Sequence, residues 1–463
     1  MNTKGKLGLG ILISLVVGNM VGSGIFMLPR SLAEVASPAG VILAWLLTGF
    51  GVLVTALVFG NLAIRKPKLT GGPQIYAKEL FKRGSKKSTL SGFMSTWGYW
   101  IGNLAGNVAI ITTFAGYLST FFPILTSEAA LINIGSFTLY VGNALTFLVC
   151  TILLWGTHWI ILNGLENAGK LNILATSAKV IGFMLFIIIA LFAFETSNIL
   201  PFAEPKVNHS VGLFGQINSA AITTLWAFIG VESAVVFASR AKKQSDVKKA
   251  TIIGLLIALA IYIGISTLVM GILSQNELIA SQKPLIDAIE TVLGPIAGKV
   301  LAAIGLISLF GSTIGWIMLS AEVPYAAAKQ GIFIPAFLKE NKKGIPTFSL
   351  VVTNILGQLF IFSTVSKSIS QAFDFIIYIA TLSYLVPYLI SSIFQLKLVM
   401  SGETYTSMKS RRVDFVIGII ATIYSIWVII AGTADIKTFS FGVLLLLSGI
   451  FFYNQLNKGT KPE

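Results

Sequence analysis

A glycine and a carboxylate lie close together in the middle of a long apolar segment. The segment runs from about 217 to 239 and contains Leu-Trp-Ala-Phe-Ile-Gly-Val-Glu-Ser at 225–233, with Gly230 and Glu232. Roughly 20 apolar residues can cross a bilayer, where a charge costs at least roughly 2.5–3.5 kcal/mol. A buried Glu232 hydrogen-bonded to a neighbouring helix is the structural alternative. A functional role is favoured, because the glycine weakens the helix at the same place.

A second apolar segment, near the start of the chain, is interrupted by three glycines. Gly18, Gly22 and Gly24 lie within seven residues, with the polar Ser23 among them. The spacing of Gly18 and Gly22 suits close helix packing, but packing does not account for Gly24 or Ser23. Local unwinding accounts for all four, since each glycine weakens a helix by roughly 1 kcal/mol. Unwound backbone in a membrane needs a ligand, water or protein as hydrogen-bond partner.

The two interruptions fall in predicted spans 1 and 6, which are five apart. Paired interruptions in corresponding halves of a membrane protein point to a transporter binding site. The free N–H groups at the start of a half-helix favour an anion such as a carboxylate. The free carbonyls at a half-helix end favour a cation such as an ammonium. An amino acid carries both groups on one carbon, so it is the natural ligand of such a pair.

Large aromatic residues lie near the interruptions and in the eighth predicted span. They are Phe26, Trp226, Phe228 and Trp316. A cation held against a tryptophan face gains about 0.5–2 kcal/mol. Packing against lipid or core is the alternative for each ring. Trp226 and Trp316 are favoured as binding residues because small or polar residues flank both.

Two further polar side chains are predicted to lie at membrane depth. Lys179 lies about nine residues into the fifth span, either as a titrating group, as a fixed cation in place of a metal ion, or in an ion pair with a carboxylate. Asn103, in the third span, either hydrogen-bonds a substrate or joins two helices. Asp374 is placed near a span boundary and is assigned no role.

The composition is that of an integral membrane protein. Of 463 residues, 55% are hydrophobic and 11% charged, against about 25% charged in a soluble domain, and the mean hydropathy is +0.84. The long, unalternating apolar runs predict helices rather than barrel strands. One cysteine, Cys150, and two histidines allow neither an intrachain disulfide nor a metal cluster. No nucleotide-binding or catalytic-triad motif is present, so neither an enzyme nor a cofactor is expected.

Twelve membrane-spanning helices are predicted. They cover roughly 8–29, 40–63, 92–122, 136–156, 170–194, 216–239, 250–273, 292–328, 347–364, 372–398, 412–432 and 438–456. Lysine and arginine concentrate in alternate loops, which places both termini in the cytoplasm. The net charge of +15 therefore sets topology and does not indicate a nucleic-acid partner. The first segment lacks a clean cleavage site, so a retained span is expected rather than a signal peptide.

Six motifs are spread over nearly the whole chain. They are Gly-Ser-Gly-Ile-Phe at 22–26, Trp-Ile-Gly-Asn at 100–103, Trp-Ala-Phe-Ile-Gly-Val-Glu-Ser at 226–233, Gly-Trp at 315–316, Ala-Ala-Ala-Lys-Gln-Gly at 326–331 and Val-Pro-Tyr at 386–388. Together these motifs resemble the amino acid–polyamine–organocation superfamily, and within it the basic amino acid/polyamine antiporters.

The resemblance implies an all-α, five-plus-five inverted-repeat (LeuT-type) fold with broken helices 1 and 6 and two extra C-terminal helices. The transporter core would cover 1–398, with repeats at about 8–194 and 216–398, and helices 11 and 12 with a cytoplasmic tail would fill 399–463. The resemblance also implies alternating access, a bacterial cytoplasmic (inner) membrane location, and allows a homodimer.

The resemblance also implies roles for individual residues. Backbone at Ser23, Gly24, Ile25 and Phe26 would bind the substrate carboxylate, and backbone at Trp226, Ala227 and Ile229 the α-ammonium. Trp226 and Trp316 would enclose the side chain, Glu232 would be a proton- or substrate-sensitive gate, and Lys179 would replace a sodium ion. One departure concerns Ser95, where arginine/agmatine antiporters are expected to carry a tyrosine.

The expected function is exchange of cationic amino acids, with arginine for ornithine first. Arginine/agmatine exchange, lysine/cadaverine exchange and proton-coupled uptake remain open, and they differ in the net charge moved. A membrane-embedded amino acid sensor is the alternative from another class, although no loop is long enough to hold a signalling domain.

Overall fold

The structure, a computed structural model, describes residues 8–456 apart from 68, 70, 71, 136, 164, 205–211 and 237–240. Lys4, Lys6 and the tail beyond 456, which entered the topology prediction, lie outside the described residues. The α-helices are, in chain order, α1 (Leu9–Met20), α2 (Gly24–Val35), α3 (Pro38–Arg65), α4 (Lys86–Leu118), α5 (Val141–Asn163), α6 (Leu165–Phe192), α7 (Leu213–Ala227), α8 (Ser233–Val236), α9 (Gln244–Ile272), α10 (Gln275–Ala280), α11 (Pro284–Leu293), α12 (Pro295–Lys329), α13 (Thr347–Ile361), α14 (Ser363–Ser366), α15 (Ile369–Ser401), α16 (Met408–Ala431) and α17 (Ile436–Leu456).

The chain is an all-helical, multi-pass membrane protein. Within the described ranges nine helices are long and apolar enough to cross a bilayer, and the bent pair α1–α2 makes a tenth. The other two predicted spans coincide with α6 and with α7–α8, and the second of these runs into the undescribed residues 237–240. The full set of twelve spans therefore stays a prediction.

The predicted end of the first span and the predicted start of the third were wrong, and the connection between the seventh and eighth spans contains short helices. Pro29, taken as the end of the first span, lies inside α2, which continues to Val35 at the cost of one backbone hydrogen bond. The third span begins at Lys86 rather than 92, because the Ser85 side chain accepts a hydrogen bond from the Ser88 amide at 3.2 Å and caps the helix. The loop predicted over 274–291 holds α10 and α11.

A small antiparallel hairpin replaces the predicted start of the fourth span. Strand β1 covers Ala130–Ile134 and pairs with β2, Phe137–Tyr140, so α5 begins only at Val141. Both strands are short and largely exposed. The β-branched and aromatic residues of 130–140 favour a strand over a helix. Apolar content alone does not distinguish the two, so the fourth span was predicted to begin too early.

The most enclosed helices are α4 and α15, which pack against each other, while α17 lies on the outside. In an apolar stretch of 18 residues, 89% of the residues of α4 are buried, whereas the corresponding share in α17 is only 11%. Gly106 of α4 allows one close approach, because a Cβ there would lie 2.8 Å from Cη2 of Trp226. The central helices thus bring the second interruption directly against α4.

A polar cluster around Asp414 holds α16 against the bundle. The Asp414 carboxylate accepts hydrogen bonds from Asn61 at 2.9 Å, Arg65 at 2.9 Å and Tyr405 at 3.0 Å. The amide of Gln395 donates to the Asp414 carbonyl at 2.7 Å. Charged groups are costly at this depth unless paired, so the cluster fixes how α3, α15 and α16 fit together.

Candidate functional site

The first interruption separates α1 from α2. The two helices meet at an angle of 46° across residues 21–23. The last carbonyls of a helix lack intrahelical donors, and two of them find side chains here. Lys179 Nζ donates to the Gly18 carbonyl at 3.3 Å, and the hydroxyl of Tyr262 lies 2.7 Å from the Met20 carbonyl. Unwinding in the first span, predicted from its glycines, is therefore present.

The start of α2 offers hydrogen-bond donors. Its first amides have no intrahelical acceptor. The amide of Phe26 already donates to the Ser23 carbonyl at 3.1 Å, which leaves the amides of Ser23, Gly24 and Ile25. The Ser23 side chain is buried, and its hydroxyl has no hydrogen-bond partner among the residues described. This end of the helix is suited to an anion.

The second interruption separates α7 from α8 over residues 228–232. Gly230 takes a φ of +105°, and a Cβ there would lie 3.1 Å from the carbonyl carbon of Asn19. Both the backbone conformation and the contact with the first interruption therefore need glycine. The predicted break in the sixth span is present.

Two side chains join the interruptions. Asn19 Nδ2 donates to Ser233 Oγ at 2.7 Å, and that hydroxyl donates to the Gly230 carbonyl at 2.5 Å. The hydroxyl of Tyr262 lies 2.6 Å from the Ala227 carbonyl as well as 2.7 Å from Met20. One O–H serves two carbonyls, so acceptor capacity remains for a cation.

A small cavity lies between the interruptions. Its free space is about 10 Å³, room for about one water molecule. The lining residues are Asn19, Met20, Gly22, Ser23, Gly24, Ile110, Trp226, Ala227, Ile229 and Trp316. The space is too small for an amino acid, so lining side chains must move before one can bind.

A second small cavity, of about 20 Å³, shares two walls with the first. Asn19 and Trp316 border both, and Tyr99, Gly230, Glu232, Ser233 and Leu319 complete the second. The two cavities are therefore neighbours, and Glu232 lines the one next to the first cavity.

Glu232 is held by three donors. Its carboxylate accepts from the Tyr99 hydroxyl at 2.9 Å, the Tyr388 hydroxyl at 2.7 Å and the Gly230 amide at 3.1 Å. The side chain is 2% exposed. These bonds tie α4 and α15 to the second interruption, so the protonation state of one carboxyl bears on the packing of three elements.

The predicted site residues divide into two groups. Ser23, Gly24, Trp226, Ala227, Ile229 and Trp316 line the first cavity and Glu232 lines the second, whereas Ile25, Phe26, Asn103 and Lys179 line neither. Phe26 packs on the rings of Tyr117 and Phe183, with centroids 5.0 and 5.2 Å away. Asn103 Nδ2 donates to the Tyr99 carbonyl at 2.7 Å, and its Oδ1 is buried without a partner among the described atoms.

Residues to which the sequence analysis assigned no role complete the site. They are Asn19, Tyr99, Tyr262 and Tyr388. Tyr99 lies one helical turn after Ser95, on the same face of α4, so a tyrosine does reach Glu232 although Ser95 itself is not one. Polar residues inside apolar spans were the available signal, since buried hydroxyls need partners.

An ion-pair cluster lies beyond Phe26, at the far end of α2. The buried guanidinium of Arg30 pairs with Asp374 on α15, bonds Glu34 at 2.9 Å and donates from Nε to the Ile279 carbonyl at 3.2 Å. Ser31 Oγ donates to Asp374 at 2.5 Å. Asp374, which the sequence left without a role, thus joins α15 to the half-helix after the first interruption, and Arg30 joins the same half-helix to α10.

We expect Arg30→Ala to lower the free energy of unfolding by about 2 kcal/mol, because it removes charged hydrogen bonds and leaves Asp374, about a third exposed, without its partner. Thermal unfolding of the purified protein measures the loss. The double variant Arg30→Ala/Asp374→Ala should recover part of it, since the stranded carboxylate is gone. Strictly additive effects would show that the pair is not coupled.

Comparison of the sequence with known proteins shows the family of the chain. The amino acid permease family model matches residues 7–453. The chain belongs to the amino acid permease family. A Bacillus subtilis protein named "Putative arginine/ornithine antiporter" is 50% identical over 462 residues, with 99% of this chain and 98% of the relative covered. The "Arginine/ornithine antiporter" of Pseudomonas aeruginosa is 37% identical, with 97% and 90% covered.

The same amino acid permease is also similar to antiporters with another named exchange. The "Arginine/agmatine antiporter" of Chlamydia felis is 34% identical, with 99% of this chain and 91% of the relative covered. Coverage is nearly complete in all three relatives, so the similarity includes both interruptions and the helices around them. The resemblance to the superfamily is confirmed.

Proposed function

We propose that this amino acid permease exchanges arginine for ornithine across the bacterial cytoplasmic membrane. Two relatives named as arginine/ornithine antiporters support this exchange. The observation that carries the proposal is the small cavity between two helix interruptions, which is lined by the start of α2, the end of α7 and two indoles. Once its lining side chains move apart, such a site would receive an amino acid with a long cationic side chain.

The substrate is proposed to lie across the two interruptions. The amides of Ser23, Gly24 and Ile25 would receive its carboxylate. The carbonyl of Ala227, at the end of α7, and that of Ile229, within the second interruption, would receive its α-ammonium. Asn19, which borders both cavities, is added to this set.

The side chain of the substrate is proposed to lie between Trp226 and Trp316, whose faces suit a guanidinium or an ammonium. Glu232 acts as the gate that responds to proton or substrate. Phe26 and Asn103 support the site from behind, since neither lines the cavities and the Phe26 amide is already bonded.

We also propose the architecture that goes with exchange. Twelve spans form two inverted repeats, over about 8–194 and 216–398, followed by two further helices in 399–463. Both termini lie in the cytoplasm, and the interrupted α1–α2 and α7–α8 occupy matching places in the repeats. In this orientation the Arg30–Asp374 cluster lies on the outer side, where it would hold α2 against α15 while the site is closed.

Arginine/agmatine exchange is the second candidate, because a relative named as an arginine/agmatine antiporter is 34% identical to this chain. The two exchanges differ in charge. Arginine for ornithine moves no net charge, whereas arginine for a divalent amine moves one, equivalent to about 2.3 kcal/mol per 100 mV. A membrane potential therefore changes the second exchange and not the first.

Uptake into proteoliposomes separates these candidates. Radiolabelled arginine is added to vesicles preloaded with ornithine, agmatine, lysine, cadaverine or buffer. Uptake with internal ornithine, unchanged by an imposed potential, is expected. Equal uptake into empty vesicles under a proton gradient would contradict antiport, and binding without uptake would indicate a sensor.

We expect exchange to be the same in sodium and in choline buffers, because Lys179, which donates to the Gly18 carbonyl at the end of α1, is proposed to take the place of a sodium ion. Lys179→Gln should lower the initial exchange rate about tenfold, since the carbonyl keeps a donor but loses the charge. Uptake measured in both buffers tests this. Lys299→Gln, on the surface of α12, is the control. A sodium-dependent rate in the wild type would refute the role of Lys179.

A further inference from the structure

A large apolar cavity lies on the flank of the bundle, away from the substrate cavities. Its volume is about 570 Å³, and it shares no lining residue with the two small cavities at the helix interruptions. It lies between α4, α13, α17 and the 3-10 helix Pro335–Leu338. Its inner wall includes the buried rings of Trp97, Trp100 and Phe337. The cavity thus reaches from the outer surface to the packed core.

The opening of the cavity faces the surroundings of the bundle at membrane depth. Leu359 of α13 is 60% exposed, and Phe441 and Phe452 of α17 are 43% and 39% exposed. All three line the cavity and belong to helices that can span a bilayer. An occupant would therefore enter from the hydrocarbon region of the membrane.

Three polar groups of the wall are already bonded within the protein, and the fourth polar lining residue, Gln455, is exposed near the end of α17. Trp97 Nε1 donates to the Leu445 carbonyl at 3.0 Å, and Trp100 Nε1 donates to Thr353 Oγ1 at 3.0 Å. Ser448 Oγ donates to the same Leu445 carbonyl at 2.7 Å. With these donors satisfied, the space favours a purely apolar occupant over a polar solute.

Basic side chains lie at one end of the cavity. Lys339 Nζ is 5.9 Å from the ring centroid of Phe348, which lines the cavity, and Lys342 and Lys343 follow in the chain. The only acidic residue in the sequence from 329 to 343, Glu340, is paired with Lys329 at 3.7 Å. The lysines therefore present a net positive charge next to an apolar space.

The same end is reached by the start of α4. The hydroxyl of Tyr453, the neighbour of Phe452 in α17, donates to the Lys86 carbonyl at 3.5 Å. Lys86 and Lys87 are the first two residues of α4. Two basic segments thus lie near the C-terminal end of α17, where Phe452 lines the cavity.

We propose that this cavity binds an acyl chain of an anionic phospholipid, with its phosphate at the lysines around Lys339. The acyl chain is the apolar occupant that the membrane supplies at this depth. The lysines select an anionic headgroup, since anionic lipids attract basic side chains at the membrane surface. The site is separate from the substrate cavities, so it stands whether or not the exchange proposed above is correct.

Tryptophan quenching tests the proposal directly, because Trp97 and Trp100 line the cavity. The purified full chain in detergent is titrated with phosphatidylglycerol carrying brominated acyl chains, and in parallel with phosphatidylcholine carrying the same chains. We expect saturable quenching at a several-fold lower concentration of the anionic lipid. The variant Trp97→Phe/Trp100→Phe should lose that component. Trp159→Phe, which removes a 69% exposed ring on α5, should keep it.

A surface variant tests the headgroup without touching the wall. Lys339→Gln/Lys342→Gln changes exposed side chains, and it should raise the half-saturation of the anionic lipid several-fold toward that of phosphatidylcholine. Equal affinity for the two lipids would overturn the proposal, as would an anionic-lipid component that survives in Trp97→Phe/Trp100→Phe. Absence of saturable quenching, with light scattering showing a dimer, would mean that a second copy of the chain covers the cavity instead.

Discussion

Glu232→Gln is expected to lower the rate of arginine exchange by about tenfold and to flatten its dependence on pH. The carboxylate accepts from Tyr99, Tyr388 and the Gly230 amide. Glutamine has one oxygen, which can keep the Gly230 and Tyr388 bonds but not the donated bond from Tyr99. One lost hydrogen bond to a charged group is worth about 1.5–3 kcal/mol, and about 1.4 kcal/mol corresponds to tenfold in rate.

The fold should tolerate this change better than transport does, because glutamine has nearly the same shape and can still bond two of the three partners. Initial rates of exchange in proteoliposomes from about pH 5 to pH 8 give the profile. Thermal unfolding gives the stability. Glu340→Gln, on an exposed loop, is the matched control and should leave both unchanged. A wild-type pH profile in Glu232→Gln would remove the gating role.

Trp316→Ala is expected to raise the dissociation constant for arginine about tenfold. The ring borders both small cavities, the one between the interruptions and the one lined by Glu232. Removing it forfeits a cation–π contact of about 0.5–2 kcal/mol, and the enlarged space admits water that competes for the guanidinium. Trp316→Phe keeps a weaker aromatic face, so its dissociation constant should fall between those of the wild type and Trp316→Ala.

Calorimetric titration of the purified protein with arginine measures this effect. Trp159→Ala is the control, since that ring is 69% exposed on α5 and lines neither small cavity. If Trp316→Ala binds arginine as tightly as the wild type, the indole does not enclose the substrate side chain. An effect on exchange without an effect on binding would instead assign Trp316 to the movement between states.

The interruptions were predictable because their causes are local. Glycines and a carboxylate inside apolar runs at Gly22, Gly24, Gly230 and Glu232 are visible in the chain itself, and the structure ends or begins helices beside them. Of the seven predicted residues that line the two cavities, all but Trp316 lie within a few positions of such a break.

The partners across the bundle were not predictable, because they depend on tertiary packing. Arg30 and Asp374 are 344 positions apart, and Tyr388 is 156 positions from Glu232. Composition marks such residues as polar within apolar spans but does not pair them. The hairpin at 130–140 was missed for a different reason, since short apolar runs do not distinguish a strand from the start of a helix.

Substrate protection of a single cysteine tests the central claim, that the cavity between the interruptions is where arginine binds. The chain has one cysteine, the buried Cys150, so Ser23→Cys in a Cys150→Ser background gives one reactive thiol in the cavity wall. Arginine and ornithine should slow its reaction with a small thiol reagent, saturably and with half-effects near their KM values for exchange. Labelling that stays unchanged at saturating arginine, in a variant that still exchanges, would contradict the claim.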